Sequence, residues 1–313
     1  METVYITGAE KAAEMPCVAT VGFFDGVHAG HRHVIGQVME LARQEGLRSC
    51  VVTFERHPRQ VVAPDFTPQL LTTLDEKLHL LDQLGVEVCA VLRFDKDMAA
   101  MDAETFMQTI LARTLGVRHL VIGYDNRFGH GRTEGFTDYA AFGQRMGMTV
   151  TACDEEAVAG EKVSSSLIRR CLALGDVEKA AASLGYCYTL AGRVVGGFRQ
   201  GRKMGFPTAN IDTDGSGKQL PAPGAYAVRA WIEGEKMPRE AMMNIGMRPT
   251  FHGHSLSLEV HVLGFQGDLY GHSLRVDFMH RLREERTFHD AAELTLQLQH
   301  DRQEAIEWFE KHP

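Results

Sequence analysis

The chain of 313 residues has 33 lysines and arginines against 41 aspartates and glutamates, a formal net charge of −8. Proteins that bind duplex nucleic acid usually present a basic face, so this balance argues against bulk nucleic-acid binding and permits only a local basic pocket. Hydrophobic residues at 44% and charged residues at 24% exclude a disordered chain, and the length predicts two domains.

The six cysteines include no C-x-x-C pair, which argues against a zinc ribbon or a thioredoxin-like redox motif. The N-terminal residues lack a basic segment followed by an apolar one, and no uninterrupted apolar run approaches the ~18 residues of a membrane span. These features predict a cytoplasmic protein whose partners are small molecules rather than nucleic acid or membrane.

Alternating strand-like and helix-like patterns in the first half predict an α/β domain with a parallel, Rossmann-like sheet. Predicted strands cover 17–24, 48–54, 86–94, 117–123 and 148–153, and predicted helices cover 32–45, 74–84, 103–115 and 138–146. Glycines follow these helices, where a left-handed residue closes a helix, at Gly46, Gly85, Gly116 and Gly147. Ligands bind outside the carboxyl ends of parallel strands, so the turn after the first strand is a candidate site.

The pattern changes near residue 185. Residues 164–184 predict one or two short helices, and short strand-like runs follow at 194–195, 225–232, 256–263 and 273–278. Gly, Pro and Asn separate these runs, which predicts an antiparallel β-barrel or sandwich, and a helical pattern covers 290–309. We therefore predict an α/β domain at 1–185 and an antiparallel β-barrel with a terminal helix at 186–313.

The sequence "DGVHAGH" places His28 and His31 between the first strand and the first helix. A helix N-terminus with two imidazoles suits phosphate oxygens, and Gly30 lets the backbone come close to them because it has no Cβ. A surface turn that happens to contain histidines is the main alternative. A zinc site is less favoured, because no further ligands stand at a recognisable spacing.

Other segments of the first domain are predicted to reach the same edge of the sheet. "KVSSSLIRR" contains Ser164, Ser165 and Ser166 ahead of Arg169, either as a serine N-cap or as a group that holds triphosphate oxygens. "GYDNRFGHGR" offers Asp125 to a nucleotide, and "TFERHPRQ" follows the second strand. Surface loops between strand and helix are the alternative for both.

The second domain has "GRKMGFPTAN", in which Thr208 and Asn210 would share one face of a strand. Their neutral oxygens suit Mg²⁺ together with phosphate oxygens, and a β-turn stabilised by polar side chains is the alternative. Glu259 and His261 alternate along a later strand, so Glu259 is a candidate general base, with a surface pair on an edge strand as the alternative. No Walker A sequence is present.

Together these motifs resemble the bacterial bifunctional riboflavin kinase/FMN adenylyltransferase family, also called FAD synthetases. The first domain resembles the family's adenylyltransferase module through "GFFDGVHAGHR", "TFERHP", "GYDNRFG" and "VSSSLIR". The second resembles its kinase module through "GRKMGFPTAN", "GAYAV", "NIGMRPTF", "LEVH" and "DLYG". The resemblance implies that the second domain phosphorylates riboflavin with ATP to FMN. The first domain would then join FMN to the adenylyl group of a second ATP, giving FAD and pyrophosphate.

The family pattern also implies roles for residues. His28 and His31 would stabilise the transition state of adenylyl transfer, and the ATP site would contain Gly22, Phe24, Asp25, Gly30, Asp125, Ser164, Ser165, Ser166 and Arg169. In the kinase, Glu259 would be the base, and Thr208 and Asn210 would hold Mg²⁺. ATP and flavin would further contact Gly201, Lys203, Gly205, Phe206, Pro207, Asn244, Arg248 and Arg283.

Some positions depart from the family pattern. Arg56 and Asn126 replace a proline and an aromatic residue that are common there, which motivates an alternative: a riboflavin kinase with an impaired adenylyltransferase. Ser166 replaces a threonine and keeps the hydroxyl, and Gly264 replaces a frequent aspartate. A flavin-binding regulator without catalysis, and a nucleotidyltransferase of another pathway with a nucleic-acid-binding β-domain, are disfavoured by the retained motifs and the acidic balance.

Overall fold

The computed structural model describes residues 1–8, 16–63, 65–123, 126–153, 157–158, 161–197, 201, 204–213, 215–250 and 253–312. Two predicted site residues, Asp125 and Lys203, lie outside these ranges, and the side chain of Arg248 is not described. The chain forms two compact units, Met1–Ser165 and Ser166–Pro313. The boundary predicted from the sequence, between an α/β domain at 1–185 and a barrel domain at 186–313, stays a prediction. Within the described ranges, no helix is both long and apolar enough to cross a membrane.

A six-stranded parallel sheet forms the centre of the first unit, in the order β1-β4-β3-β2-β5-β6. Its strands are β1 (Glu2–Ile6), β2 (Cys17–Val21), β3 (Arg48–Phe54), β4 (Val88–Leu92), β5 (Val117–Ile122) and β6 (Thr149–Ala152). Strands β2 and β4 are buried along their whole length, as expected for parallel strands covered on both faces. All five predicted strands of this domain are present. The sequence prediction missed β1, whose residues are mostly exposed at the sheet edge.

Helices cover both faces of this sheet. They are α1 (Ala29–Glu45), α2 (Pro58–Val62), α3 (Leu74–Gln83), α4 (Lys96–Ala100), α5 (Ala103–Phe106) and α6 (Phe136–Arg145). Helix α5 continues into a π-helix at Met107–Thr114, a short 3-10 turn spans His130–Arg132, and a small hairpin joins β7 (Ala157–Val158) to β8 (Glu161–Lys162). Gly46 closes α1 with φ 65°, in the left-handed region, as predicted.

The second unit is a closed antiparallel barrel with strand order β10-β13-β12-β11-β14-β9. Before it come α7 (Ser165–Leu174), whose first residue belongs to the first unit, and α8 (Val177–Leu184). The barrel strands are β9 (Thr189–Val195), β10 (Ala209–Asp212), β11 (Gly224–Ile232), β12 (Arg239–Thr250), β13 (Gly253–Val262) and β14 (Ser273–Glu284). Helix α9 (Ala291–Lys311) follows. The predicted fold class is confirmed, although the sequence prediction missed β10 and β12.

Barrel closure decides where the second domain's polar residues lie. The last two residues of the "GFPTAN" motif lie on β10, which pairs with both β9 and β13. This motif therefore lies beside the strand that contains "LEVH". The alternative interpretation of Glu259 and His261 as a pair on an edge strand is wrong, since β13 pairs on both sides. Helix α9 packs on the barrel through Ala305 and Phe309 against Ala227.

Two candidate active sites

The turn after β2 is strained and is held in place by a distant segment. Phe24 and Val27 have φ angles of 52° and 38°, which non-glycine residues, and β-branched ones above all, rarely adopt. The buried Asp25 carboxylate accepts hydrogen bonds from the backbone N–H of Leu71 at 2.9 Å and of Thr72 at 3.1 Å. Such strain persists only where surrounding contacts determine the backbone, and it is typical of functional sites.

This geometry gives Asp25 a positioning role, because its carboxylate is already occupied by backbone donors. Direct binding of ATP by Asp25 stays a prediction. Gly22 lies at the start of the same turn, where an added Cβ would stand 3.0 Å from the ring of Phe24. A larger residue at Gly22 would therefore push Phe24 out of place.

His28 and His31 meet at the N-terminus of α1. His28 is the N-cap: its Nδ1 accepts a hydrogen bond from the backbone N–H of His31 at 3.4 Å, and the two rings stack with centroids 3.6 Å apart. The rings of Phe24 and His31 pack edge to face with centroids 5.1 Å apart. Nδ1 of His31 is buried and, among the residues that the structure describes, has no hydrogen-bond partner. An unsatisfied buried polar atom costs about 1–3 kcal/mol, and a substrate oxygen would remove that cost.

Burial, followed by the nearby charges of His28 and Lys77, holds the pKa of His31 well below its usual range. The imidazole is therefore neutral at neutral pH. A neutral imidazole has one N–H to donate, so His31 is suited to hydrogen bonding with a phosphate oxygen rather than to ion pairing with it.

Lys77 on α3 is a residue of this region that the sequence analysis missed. It is 1% exposed, its Nζ donates to Thr53 Oγ1 at 3.2 Å, and the same Nζ lies 4.0 Å from the centre of the Phe23 ring. Burial lowers the pKa of Lys77 to about 8, against the opposing effect of Asp25. A signal was present: Lys77 stands three residues after Leu74 and four before Leu81, on the apolar face of α3.

The start of α7 reaches the histidine turn, as the sequence motifs predicted. Ser165 Oγ donates to the backbone carbonyl of Asp25 at 3.0 Å. A Cβ on Gly30 would lie 3.5 Å from the ring of His28 and 3.7 Å from the carbonyl oxygen of Val163. Two segments more than 130 residues apart in the chain therefore meet at one corner of the sheet.

The other residues predicted to bind phosphate in this segment are Ser164, Ser166 and Arg169. Ser164 directly precedes the helix, whereas Ser166 and Arg169 lie further along it, in the second compact unit. Their binding of phosphate stays a prediction. Two of the departures from the family pattern motivated an impaired adenylyltransferase, Arg56 and Asn126. Arg56 is exposed, and the side-chain amide of Asn126 donates to the Val21 carbonyl at the end of β2.

The segment "TFERHP" contributes an aromatic cluster next to the same turn. His57 caps α2, and its ring meets Phe23 at a centroid distance of 4.7 Å and Phe66 at 5.3 Å. The guanidinium of Arg59 lies 4.5 Å from the centre of the Phe66 ring. Aromatic faces and a cation near the phosphate-suited histidines make this edge suited to a planar, phosphorylated ligand.

The barrel brings Glu259 between Asn210 and Asn244. Strand register places Asn210 of β10 and Asn244 of β12 directly opposite Glu259 of β13. Opposed residues on paired strands share a face, so the three side chains form one row. Thr208 Oγ1 donates to the Glu259 carboxylate at 3.0 Å. The predicted base thus meets both residues that were predicted to hold Mg²⁺.

A tight turn leads into this row. The N–H groups of Met204 and Phe206 donate to the Gly201 carbonyl at 3.0 and 2.8 Å, and Gly205 has φ 82°. A Cβ on Gly201 would lie 2.2 Å from the Phe206 carbonyl oxygen, so no larger residue fits there.

His261 attaches the end of this turn to the barrel. Its Nδ1 hydrogen-bonds with the Pro207 carbonyl at 2.8 Å, and its ring packs edge to face with that of Phe206, with centroids 5.3 Å apart. Burial lowers the pKa of His261, which keeps the ring neutral. The position of Thr208, the next residue along the chain, therefore depends on a histidine of β13.

A cleft opens beside Thr208. Its lining includes Val194, Pro207, Thr208, Phe265, Asp268 and Tyr270. Aromatic, aliphatic and polar side chains together in one cleft suit the base and sugar of a nucleotide. A nucleotide bound here would direct its phosphates toward the Thr208–Glu259 pair.

A second carboxylate lies near this row. Burial raises the pKa of Glu285; the charge of Arg283 opposes this shift, and the charge of Glu259 adds to it. A Cβ on Gly246 would lie 2.8 Å from both the Asn244 amide nitrogen and a Glu285 oxygen. The sequence analysis did not identify Glu285, which lies in the same "LREERTF" segment as Arg283.

Arg283 was predicted to lie toward the flavin. In the structure its guanidinium binds the buried Asp301 of α9, with Nη2 at 2.8 Å and Nε at 2.9 and 3.0 Å. Arg283 therefore fixes the terminal helix to β14. A contact of Arg283 with the flavin stays a prediction. The predicted contacts of Gly201, Gly205, Phe206 and Asn244 with ATP or flavin also stay predictions.

Both parts of the chain match known protein families. A FAD synthetase family model matches residues 10–167, and a riboflavin kinase model matches residues 184–309. The bifunctional riboflavin kinase/FMN adenylyltransferase of Bacillus subtilis is 36% identical over 99% of this chain and 98% of its own length. The protein of the same name from Escherichia coli K12 is 37% identical over 97% of this chain and 96% of its own.

A solved structure agrees with the fold over the whole chain. The crystal structure described as a macrolide-efflux protein from Streptococcus pneumoniae superimposes with a TM-score of 0.90 at 27% identity. It covers 98% of this chain and 100% of the other. That name describes the other protein, and the two family models describe this one.

The fold, the sites and these matches define a two-domain enzyme of flavin cofactor synthesis, with a nucleotidyltransferase domain followed by a kinase domain. The chain belongs to the bifunctional riboflavin kinase/FMN adenylyltransferase family. The family and the two activities predicted from the sequence are confirmed. ATP, riboflavin, FMN and FAD fit as its substrates and products.

Proposed function

We propose that the Glu259 row performs the kinase reaction and that the His28–His31 pair performs the adenylyl transfer. The observation that carries the kinase assignment is the convergence of Thr208, Asn210 and Asn244 on Glu259. The stacked histidines at the N-terminus of α1, with an unpartnered buried Nδ1 in the described structure, support the second assignment.

In the kinase reaction, Glu259 accepts the proton of the ribityl 5′-hydroxyl of riboflavin as that oxygen attacks the γ-phosphorus of ATP. ADP leaves, and the product is FMN. A carboxylate in hydrogen-bond contact with a threonine hydroxyl is held in one orientation, which a general base requires. Asn210 and Asn244 on either side supply amide groups that can orient the hydroxyl and the phosphate.

The side-chain oxygens of Thr208 and Asn210 fit Mg²⁺. This ion takes oxygen ligands, keeps several waters, and is usually bound by one or two protein groups plus substrate phosphates. When bound, Mg²⁺ would neutralise the charge of the ATP phosphates. Among the described residues, no group of three or more His, Cys, Asp or Glu side chains could hold a metal ion. The substrate phosphates would therefore have to complete this site.

In the adenylyl transfer, an oxygen of the FMN phosphate attacks the α-phosphorus of ATP and pyrophosphate leaves. The acceptor is itself a phosphate, so no protein nucleophile is needed. The task of the protein is to hold the phosphates and to stabilise the charge that develops on them. His28, His31 and the N-terminus of α1 surround one place suited to the α-phosphate. Ser165, the first residue of α7, contacts the same turn through its hydroxyl.

The decisive experiment incubates the purified chain with riboflavin, ATP and Mg²⁺ and separates riboflavin, FMN and FAD by chromatography over time. We expect FMN first and FAD after it. FMN without FAD would favour the kinase with an impaired adenylyltransferase and direct attention to Arg56 and Asn126. Tight flavin binding without turnover would favour the regulator. The predicted cytoplasmic location and the absence of nucleic-acid or membrane partners stay predictions.

A further inference from the structure

The guanidinium of Arg283 joins the terminal helix α9 to the end of β14 through a buried ion pair. Its Nε lies 2.9 and 3.0 Å from the two carboxylate oxygens of Asp301, which is 1% exposed, and Gln297 Nε2 donates to the same carboxylate at 2.7 Å. Apolar residues that replace a buried ion pair often leave stability unchanged or higher, so packing alone does not call for this pair. A guanidinium with several hydrogen bonds to one carboxylate fixes geometry, which indicates a use for the position of Arg283.

The same guanidinium holds the backbone that leads out of the barrel. Its Nη1 donates to the carbonyl of Glu284, the last residue of β14, at 3.0 Å. Glu285 is the next residue along the chain. Since Asp301 fixes the guanidinium and the guanidinium fixes the Glu284 carbonyl, the ion pair controls the direction in which Glu285 leaves the strand.

Glu285 stands on the same face of the barrel as the Glu259 row. Asn244 and Gly246 are two residues apart on β12 and share a face, and Asn244 lies directly opposite Glu259. A Cβ on Gly246 would lie 2.8 Å from the Asn244 amide nitrogen and 2.8 Å from a Glu285 oxygen. The Glu285 carboxylate thus occupies the space that a side chain at position 246 would take, next to Asn244. Glu285 remains exposed, so a substrate can reach it.

A second carboxylate near the candidate base suits a substrate rich in hydroxyl groups. An ionised carboxylate only accepts hydrogen bonds, and the ribityl chain of riboflavin carries hydroxyl groups on the carbons that precede the 5′-hydroxyl. Glu259 is assigned to the 5′-hydroxyl, and Glu285 stands further along the same face, next to Asn244. The charges of Arg283 and Glu259 both act on Glu285, in agreement with a place between the ion pair and the row.

We propose that the Arg283–Asp301 ion pair positions Glu285 for the kinase reaction, and that the Glu285 carboxylate accepts a hydrogen bond from a ribityl hydroxyl of riboflavin. Arg283 and Asp301 are positioning residues, whereas Glu285 touches the substrate. The inference rests on the proposed assignment of the kinase reaction to the Glu259 row. It gives the kinase a contact with the chain of hydroxyl groups, in addition to the base at the end of that chain.

The first test is Glu285→Gln, assayed for FMN formation over a matrix of riboflavin and ATP concentrations. Loss of the charged acceptor should raise the KM for riboflavin by about tenfold, while the KM for ATP and the rate of FAD formation from added FMN stay within about twofold. Glu310→Gln, which removes an exposed carboxylate near the end of α9, is the matched control. An unchanged KM for riboflavin in Glu285→Gln would overturn the proposal.

The second test asks whether Asp301 acts through Glu285. Asp301→Asn keeps the shape of the side chain and removes the charge that holds Arg283, so the KM for riboflavin should rise by about threefold or more. In a Glu285→Gln background the same change should add less than about twofold, because both changes remove one contact. Full additivity of the two effects would overturn the positioning role. If Asp301→Asn does not fold, Arg283→Lys, which keeps the charge and loses the paired hydrogen bonds, provides the same comparison.

The chemistry of the contact is tested with lumiflavin, which has the flavin ring and lacks the ribityl chain. Glu285→Gln should weaken the binding of riboflavin and leave that of lumiflavin within about twofold, as measured by the change in flavin fluorescence. Equal weakening of both ligands would place Glu285 at the ring and overturn its assignment to a hydroxyl.

Glu259→Gln separates this inference from the proposed function. If Glu259→Gln retains full FMN formation, the assignment of the kinase reaction fails. If Glu259→Gln loses kcat while Glu285→Gln and Asp301→Asn keep the KM for riboflavin, only the inference about Glu285 and the ion pair fails.

Discussion

Asn210 of β10 and Glu259 of β13 stand directly opposite each other in the barrel, and Thr208, two residues before Asn210, donates a hydrogen bond of 3.0 Å to the Glu259 carboxylate. This relationship joins a candidate base to two oxygen donors for Mg²⁺, and Thr208 also lines the neighbouring cleft. The arrangement makes the kinase assignment testable residue by residue.

Glu259→Gln should lower kcat for FMN formation by about 10²- to 10⁴-fold, because the amide cannot accept the proton of the riboflavin hydroxyl. FAD formation from added FMN should stay within about twofold, since that reaction is assigned to the other domain. Chromatographic assays of both products measure the two effects. Glu240→Gln, an exposed carboxylate on β12, is the matched control. Full FMN formation by the Glu259 variant would contradict its role as base.

Thr208→Ser should keep kinase activity within a few-fold, whereas Thr208→Val should raise the Mg²⁺ and ATP concentrations needed for half-maximal rate by about tenfold or more. Serine keeps the hydroxyl that binds Glu259, and valine keeps the shape without the oxygen. Initial rates over a matrix of Mg²⁺ and ATP concentrations provide the comparison. Equal behaviour of the two variants would show that the hydroxyl is not used.

Asp25→Asn should destabilise the first unit by about 1–3 kcal/mol, because the backbone N–H groups of Leu71 and Thr72 lose a charged, buried acceptor. Urea unfolding of the full chain, followed by a probe in the first unit, measures the free energy of unfolding. Asp97→Asn removes an exposed carboxylate of α4 and should change little. If both variants were equally stable, Asp25 would not hold the turn.

Stability should fall as the pH drops below about 6.5, because unfolded histidines bind a proton there while buried His31 and His261 resist it. The folded pKa values of both groups are lowered, so their contribution is complete above about pH 6.5 and is lost toward the folded pKa.

Urea unfolding at about pH 8 and about pH 5.5 checks this dependence on pH. His31→Gln and His261→Gln should each reduce the difference in unfolding free energy between the two conditions, and exposed His79→Gln should not. A difference that neither buried variant alters would assign the effect to other groups.

Prediction from sequence succeeded where local pattern decides structure. Strands β2 and β4 of the parallel sheet are nearly continuous apolar runs, and Gly46 ends α1 where a left-handed residue was expected. It failed at β12, whose sequence "REAMMNIGMRPT" contains a proline, a glycine and no regular alternation. That strand forms because β11 and β13 pair with it on both sides, which is a property of the closed barrel.

For side chains, too, local motifs could be predicted from the sequence and long-range contacts could not. The motif "DGVHAGH" was sufficient to identify the two histidines, because a strand–turn–helix junction is local. Lys77 was missed although Leu74 and Leu81 place it on the apolar face of α3. Its partners, Phe23 and Thr53, are distant in the chain and became visible only in the tertiary structure. Arg283 was assigned from the family pattern toward the flavin, and the tertiary structure placed its guanidinium on Asp301.

The sequence alone determined the order of the two domains, their fold class and their family, and it supplied the candidate residues of the two sites, because these depend on local pattern and on motif order. Only the tertiary structure decided which of those residues meet. Thr208 and Glu259 are 51 positions apart, and Asp25 and Ser165 are 140 apart. Contacts over such separations depend on strand register, barrel closure and the packing of helix ends, which the chain sets only once it has folded.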